Sequence, residues 1–341
     1  MSGPMRGPIV CATLLALLVA CTAADPGQVG GDGGGDLDGE DRFAEDGLEV
    51  HFLDVGLGDA TLLRHDEVAM LIDTGSWQRS ELVPLLEDHG VEGLDLIVVT
   101  HSHADHLGQF DQVVDQLEVA EVWWSGSETT TQTFERALTA LEDSDARYEE
   151  PRTGDSTTLG PLDIEVVNPP EDVDLDDLHD AGLAMRVTYG DVALLFTGDA
   201  ERATEARMVR ESTESLEADV LQLGHHGSDT STTSDLLEAV DPAVAVYSTS
   251  ENNPYGHPHA EVLDRLEDAE VSVYGTPVHG TVTMATDGND WTIRTEREGE
   301  PTPGPEGEHG DRQDEEEAAP AASTGMRSLL DASLVRSSGA R

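Results

Sequence analysis

Leu96-Ile-Val-Val-Thr-His-Ser-His-Ala-Asp-His106 is the stretch that decides how the rest of the chain is read. Its first four residues are a continuous apolar run, the pattern of a strand buried on both faces, and polar residues follow at once where such a strand would leave its sheet. His101 and His103, two positions apart, project to the same side of extended backbone, so one cation can take both imidazoles. The next turn carries Asp105 and His106 towards a neighbouring cation. Nitrogen and carboxylate donors without thiolate suit Zn, Mn or Fe, and the residues alone do not choose among them.

On either side of this stretch, apolar runs of strand length occur at 49–54, 60–64, 69–73, 121–124, 164–167, 184–189, 193–197, 220–223, 243–247, 271–274 and 280–285. Helix-period segments lie at 80–89, 110–116, 133–143, 203–211, 233–240 and 260–268. Hairpin-like strands come first, strands alternating with helices follow, and the second half repeats the pattern. That order suits an α/β fold, an αββα sandwich of two mixed β-sheets packed face to face with helices outside. It predicts one domain spanning Gly47 to Arg297.

The 341 residues include 71 Asp plus Glu against 18 Lys plus Arg, for a formal charge of -53, and every one of those cations is Arg. Such a surface repels itself in dilute buffer and is tolerable in brine, because at molar ionic strength the Debye length falls to about 3 Å. The composition therefore reads as halophilic, of a haloarchaeal kind. The protein should melt at a lower temperature in millimolar than in molar salt; a midpoint that does not fall on desalting removes this reading.

Residues 1–21 read as an export signal, with Arg6 in a short n-region and Ile9 to Ala20 as an apolar stretch too brief to span a bilayer. Leu18-Val19-Ala20-Cys21 resembles a lipobox, which implies cleavage and a lipid on Cys21. The expectation is an exported protein anchored to the membrane at the cell surface, with plain secretion as the alternative. Residues 22–46 read as a flexible acidic Gly/Asp linker, and residues 298–341 as a disordered acidic tail in which a short amphipathic helix could form near Met326 to Val335. No apolar span after residue 21 is long enough to cross a bilayer.

Thr100-His-Ser-His-Ala-Asp-His106 resembles the signature of the metallo-β-lactamase superfamily. Asp54-Val-Gly-Leu-Gly-Asp59, Leu71-Ile-Asp-Thr-Gly75, Phe196-Thr-Gly-Asp199, Gly224-His-His-Gly-Ser228 and Asn253-Pro-Tyr-Gly-His-Pro258 follow in the order of the soluble hydrolase domain of ComEC-type DNA-uptake proteins. The resemblance covers nearly all of Gly47 to Thr286. It implies two divalent metal ions, Zn or Mn, held by His101, His103, Asp105, His106, Asp199 and one histidine of the pair His225 and His226. The other histidine of the pair would face the substrate. The residues do not decide between them; we assign His225 to the metal and His226 to the substrate side. Asp199 would bridge the two cations.

Asp105 would be ligand and orienter of the nucleophile, and His257 a contact to substrate phosphate or leaving group. Asp73 is expected to orient the ligand loop from behind, and Asp59 to do likewise or to cap a turn. The lone His51, His65, His89, His279 and His309 carry no spacing signal. This chain departs from the family pattern at Gly108-Gln109, and again at His179-Asp180-Ala181-Gly182, where His179 or Asp180 could supply a further donor. The Asp-rich turn that relatives carry near Thr276-Pro-Val-His279 is also missing.

The function implied is hydrolysis by a hydroxide shared between two cations, on a phosphodiester substrate that could be DNA. The alternatives are another esterase on the same site (phosphorylcholine esterase-like, lactonase or β-lactamase) and a non-catalytic, metal-stabilised binding module at the cell surface.

Overall fold

The computed structural model describes residues 47–66, 68–78, 81–212 and 216–305. The export segment, Cys21, the acidic linker, His309 and everything after residue 305, including the helix expected near Met326, lie outside the described residues.

The first half of the chain contributes β1 (Leu48–Phe52), β2 (Thr61–His65), β3 (Val68–Ile72), α1 (Leu82–Asp88), β4 (Gly93–Leu94), β5 (Leu96–Val99), α2 (Phe110–Gln116), β6 (Glu118–Val119), β7 (Glu121–Trp124), α3 (Gln132–Asp143) and β8 (Arg147–Glu149). The second contributes β9 (Ser156–Leu159), β10 (Leu162–Asn168), β11 (Ala184–Tyr189), β12 (Val192–Phe196), α4 (Arg202–Ser212), β13 (Val220–Gln222), α5 (Ser234–Val240), β14 (Val244–Tyr247), α6 (Ala260–Asp268), β15 (Ser272–Gly275), α7 (Thr276–His279), β16 (Val282–Thr286) and β17 (Trp291–Thr295). They build one eight-stranded sheet, β17-β16-β1-β2-β3-β5-β7-β8, and one seven-stranded sheet, β15-β14-β13-β12-β11-β10-β9. Each sheet is mixed. Strands β1, β2 and β3 pair antiparallel and β5, β7 and β8 continue in parallel, while β9 to β12 are antiparallel and β13 to β15 parallel.

Period-two alternation builds the layers. In β5, Leu96 and Val98 enter the core between the sheets, whereas Ile97 and Val99 enter the one that includes α1, α2 and α3. In β12, Leu194 and Phe196 face the other sheet while Ala193 and Leu195 face a third core that takes in Met208, Leu236 and Val262 from α4, α5 and α6. A central strand with helices behind it and a sheet in front has no solvent face, which is why its sequence is apolar at every position. Each fully buried Leu, Val or Phe contributes roughly 1.5–3 kcal/mol. The arrangement is the expected αββα sandwich.

All six expected helices form, and those at Phe110–Gln116 and Ala260–Asp268 keep the expected ends. The strands missed are β4, β6, β8, β9 and β17. β9 and β17 are edge strands with several half-exposed or exposed residues, and β4 and β6 are two residues long, so none presents an apolar run. The packed chain also continues beyond Arg297: His279 Nε2 is 3.0 Å from the Gly299 carbonyl, and Gly304 N donates to Pro258 O at 3.0 Å. Among the described residues no helix is long and apolar enough to cross a membrane.

Candidate metal centre

The site is assembled where strands leave the two sheets. Strand β5 ends at Val99 and delivers Thr100 to His106; β12 ends at Phe196 and delivers Asp199; β13 ends at Gln222, just before the tight turn Gly224–Gly227. β3 ends one residue before Asp73, and the connection from β10 to β11 brings in His179. These are carboxyl ends of strands in or beside the parallel parts of the sheets, where open α/β sheets leave a crevice. Asp73 (φ 59°), His225 (φ 52°) and His226 (φ 56°) are all left-handed, a backbone state that costs about 1–3 kcal/mol per non-glycine residue and concentrates at functional sites.

Two donor groups share Asp199. One donor atom each from His101, His103, His179 and Asp199 lie within 4.8 Å of one another, and the same holds for Asp59, His106, Asp199 and His226. Asp199 Oδ1 is 3.3 Å from His106 Nε2, and its Oδ2 is 3.7 Å from His101 Nε2 and 3.8 Å from His226 Nε2. Asp105 Oδ2 is 3.2 Å from His226 Nε2, which places Asp105 beside the second group. His226 Nδ1 donates to the Ser248 carbonyl at 2.9 Å, so its Nε2 is the atom turned inward.

Of the histidine pair, then, His226 stands among the donors around Asp199 and Asp105, the place assigned above to His225. His225 forms a third group with His179 and Glu201, its Nε2 3.8 Å from Asp199 Oδ2. The physical reason is the left-handed turn, which swings consecutive side chains to different sides of the cleft. At the departure from the family pattern, His179 faces the centre, its ring 4.9 Å from that of His103. Asp180 turns away to Arg207 at 2.7 Å and Thr204 at 2.7 Å. His257 lies with its ring 5.5 Å from His225, in a loop clamped by Asn253, whose side chain accepts from His257 N and donates to His257 O.

Asp73 sits behind the ligand loop. Its carboxylate accepts from Thr100 N (2.8 Å) and Thr100 Oγ1 (2.8 Å) and pairs with His106 Nδ1 at 2.8 Å, which points His106 Nε2 into the centre. Gln109, the other departure, is buried and accepts Leu82 N–H at 3.0 Å, fastening the start of α1. Glu201 escaped the sequence reading: its Oε1 is 3.6 Å from His225 Nδ1 and 3.8 Å from His179 Nδ1, where it favours the tautomer with the proton on Nδ1 of both rings. No spacing marks it among 71 acidic residues.

Burial and the neighbouring charges divide the titrations here. It pushes His103 down to about 4 and His257 down to about 2, and with His106 beside it holds His101 well below the ordinary imidazole range. Burial also pushes on His106 and His226, but Asp199 and the other carboxylates outweigh it, lifting His106 well above that range and His226 to about 9. For Asp199, burial is outweighed by His106, His226 and His225, which hold the carboxyl well below the usual range. A carboxylate field strong enough to keep protons on two buried imidazoles would hold a divalent cation in their place.

The donor atoms fit such cations. Both oxygens of Asp199, both of Asp59, Asp105 Oδ2, His106 Nε2 and His226 Nε2 are buried without a hydrogen-bond partner, although buried polar atoms almost always have one.

Competence protein ComA of Neisseria gonorrhoeae is 30% identical over 281 residues, 82% of this chain and 38% of the relative. ComE operon protein 3 of Bacillus subtilis (strain 168) is 28% identical over 253 residues, 69% of this chain and 32% of the relative. The chain thus spans about a third of the length of the curated relatives it matches. Among solved structures, the metallo-beta-lactamase fold protein YhfI from Bacillus subtilis superimposes with a TM-score of 0.50 over 71% of this chain and 100% of that one, at 13% identity, a likeness of fold. Residues 53–251 match the family model of the metallo-beta-lactamase superfamily, more than half of the chain, and this shows that the chain belongs to that superfamily.

Proposed function

We propose that the protein is an exported metal-dependent phosphodiesterase acting on nucleic acid. The observation that carries the hydrolytic reading is the pair of donor groups sharing Asp199. Nucleic acid as substrate is supported by the resemblance to DNA-uptake proteins and by a relative named as a competence protein. Two divalent cations, Zn or Mn, would be held by His101, His103 and His179 on one side and by Asp105, His106 and His226 on the other, with Asp199 between them. Cations there supply Lewis-acid charge that polarises a phosphoryl oxygen and makes water a nucleophile at neutral pH.

The chain's own residues do the rest. Asp105, held below its usual range chiefly by His106 and His226 against the push of burial, stays ionised and orients the attacking water. His225, its Nδ1 against Glu201, offers Nε2 on the substrate side of the cleft, and His257, kept neutral by burial, offers the leaving oxygen a hydrogen bond. A charge of -53 opposes a polyanion in dilute buffer. The opposition is screened in molar salt and offset locally by the cations. A lipid on Cys21 would hold the enzyme at the cell surface, where extracellular nucleic acid is met.

Purified protein in molar salt should cleave single- or double-stranded DNA or bis-p-nitrophenyl phosphate with Mn or Zn added. Chelation should abolish the activity and added cation restore it. Turnover confined to a lactone or a β-lactam sinks the phosphodiesterase reading, and cations bound without turnover of any substrate sink the enzyme.

A further inference from the structure

Asp59 does not fit the part of an orienting carboxylate. It is 2% exposed, and neither of its oxygens has a hydrogen-bond partner. Asp73 shows what an orienting carboxylate looks like in this protein: three contacts at 2.8 Å, one of them to the outer nitrogen of His106. Asp59 Oδ2 lies 3.7 Å from the outer nitrogen of His226, but that nitrogen is already taken by the Ser248 carbonyl at 2.9 Å. Nor is Asp59 held in place by its side chain. Its backbone N donates to Asp105 O at 3.2 Å and its carbonyl accepts Gly75 N at 2.8 Å. The loop comes this close because Gly58, at φ 104°, precedes it; a Cβ there would stand 2.1 Å from Asp105 O.

A buried carboxylate fixed by its backbone, with both oxygens open, is strongly disfavoured unless positive charge meets it. One of those oxygens lies within 4.8 Å of donor atoms of His106, Asp199 and His226.

We propose that Asp59 is a direct ligand of the cation held by Asp105, His106, His226 and Asp199, which makes the two cation sites chemically unlike. One site is imidazole-rich, with His101, His103 and His179 against the single carboxylate of Asp199. The other is carboxylate-rich, with Asp59, Asp105 and Asp199 against two imidazoles. Imidazole suits Zn, and carboxylate oxygens suit Mn, so the first site discriminates for Zn over Mn more strongly than the second. A mixed Zn/Mn centre follows, with Mn beside Asp59. The inference rests on the cation pair proposed above and not on the identity of the substrate.

The test uses protein stripped with chelator and reloaded in molar NaCl. Given one equivalent of Zn and an excess of Mn, it should take up one of each by elemental analysis, and its electron paramagnetic resonance should show a single mononuclear Mn species. Exchange-coupled Mn–Mn pairs would mean that Zn is scattered over both sites and would overturn the asymmetry. Asp59→Asn should lower Mn affinity by at least about tenfold and leave Zn uptake at the first site unchanged, while Asp59→Glu recovers part of the loss. Unchanged Mn affinity in Asp59→Asn overturns the assignment of Asp59. The wild-type loading needs no variant and tests the asymmetry by itself; if Asp59→Asn does not fold, Asp59→Glu tests the ligand, and Mn affinity in it equal to that of wild type overturns the assignment. Wild-type protein that takes up no cation overturns the pair itself, a result distinct from one in which two cations bind without preference.

Discussion

Asp199→Asn is expected to lower hydrolysis by more than about 100-fold, the upper end of what loss of an outer partner costs, while leaving the sandwich folded. Asp199 is the residue common to both donor groups, and its two oxygens divide between His106 on one side and His101 and His226 on the other. Asn keeps the shape and removes the charge, so packing at the end of β12 is retained while one amide nitrogen is turned on imidazole nitrogens that need an acceptor or a cation. Elemental analysis should show cation lost together with rate, and far-UV circular dichroism should be unchanged. Asp105→Asn should behave alike with a smaller loss of cation, because Asp105 stands beside only the second group. Turnover within about tenfold of wild type, with both cations retained in Asp199→Asn, would refute the shared-ligand assignment.

Asp73→Ala should carry the largest cost in stability. The change strips the carboxylate from Thr100 N, Thr100 Oγ1 and His106 Nδ1, all buried, and leaves Thr100 Oγ1 only His101 Nδ1 at 3.1 Å and His106 Nδ1 at 3.4 Å. A buried group left unsatisfied costs about 1–3 kcal/mol. Removing one member of a buried ionic pair costs about 3–5 kcal/mol, a large part of the roughly 5–15 kcal/mol that holds a domain together. Asp73→Asn separates the two roles. Asn tolerates the left-handed backbone at φ 59° and keeps one acceptor, so most stability should return while cation affinity stays about 10–100-fold low, because His106 loses its orienting charge. Denaturant midpoints in molar salt and cation titrations of both variants check this. Equal stability for Asp73→Ala and wild type would show that the carboxylate does not hold the β5 loop.

Part of the centre is legible in the sequence. The apolar run 96–99 implied a strand buried on both faces, and the donors after it had to emerge at a sheet edge; both hold. The sandwich was legible for the same reason, since burial on both faces leaves an uninterrupted apolar pattern. β9 and β17 were not legible, because edge strands with a solvent face have no such pattern to show.

The pair His225 and His226 marks the boundary most clearly. Adjacent side chains share a sequence signal, and only a left-handed turn of the backbone sends one imidazole to Asp105 and the other to Glu201. Asp59, Asp73 and Asp199 all stand beside apolar strands in the chain, and only the resemblance gave them different expected roles. Their differences lie in partners drawn from elsewhere: three hydrogen-bond donors for Asp73, a ring of histidines for Asp199, and for Asp59 no hydrogen-bond partner and a histidine 3.7 Å away.

The order of residues alone determined the two-sheet architecture, because periodicity is written along the chain, and it carried the motifs whose resemblance implied the superfamily and a donor set. Tertiary structure decided which imidazole faces which carboxylate, and that His179 rather than Asp180 turns inward. Those choices are made by distances between strands far apart in sequence, which no local pattern encodes.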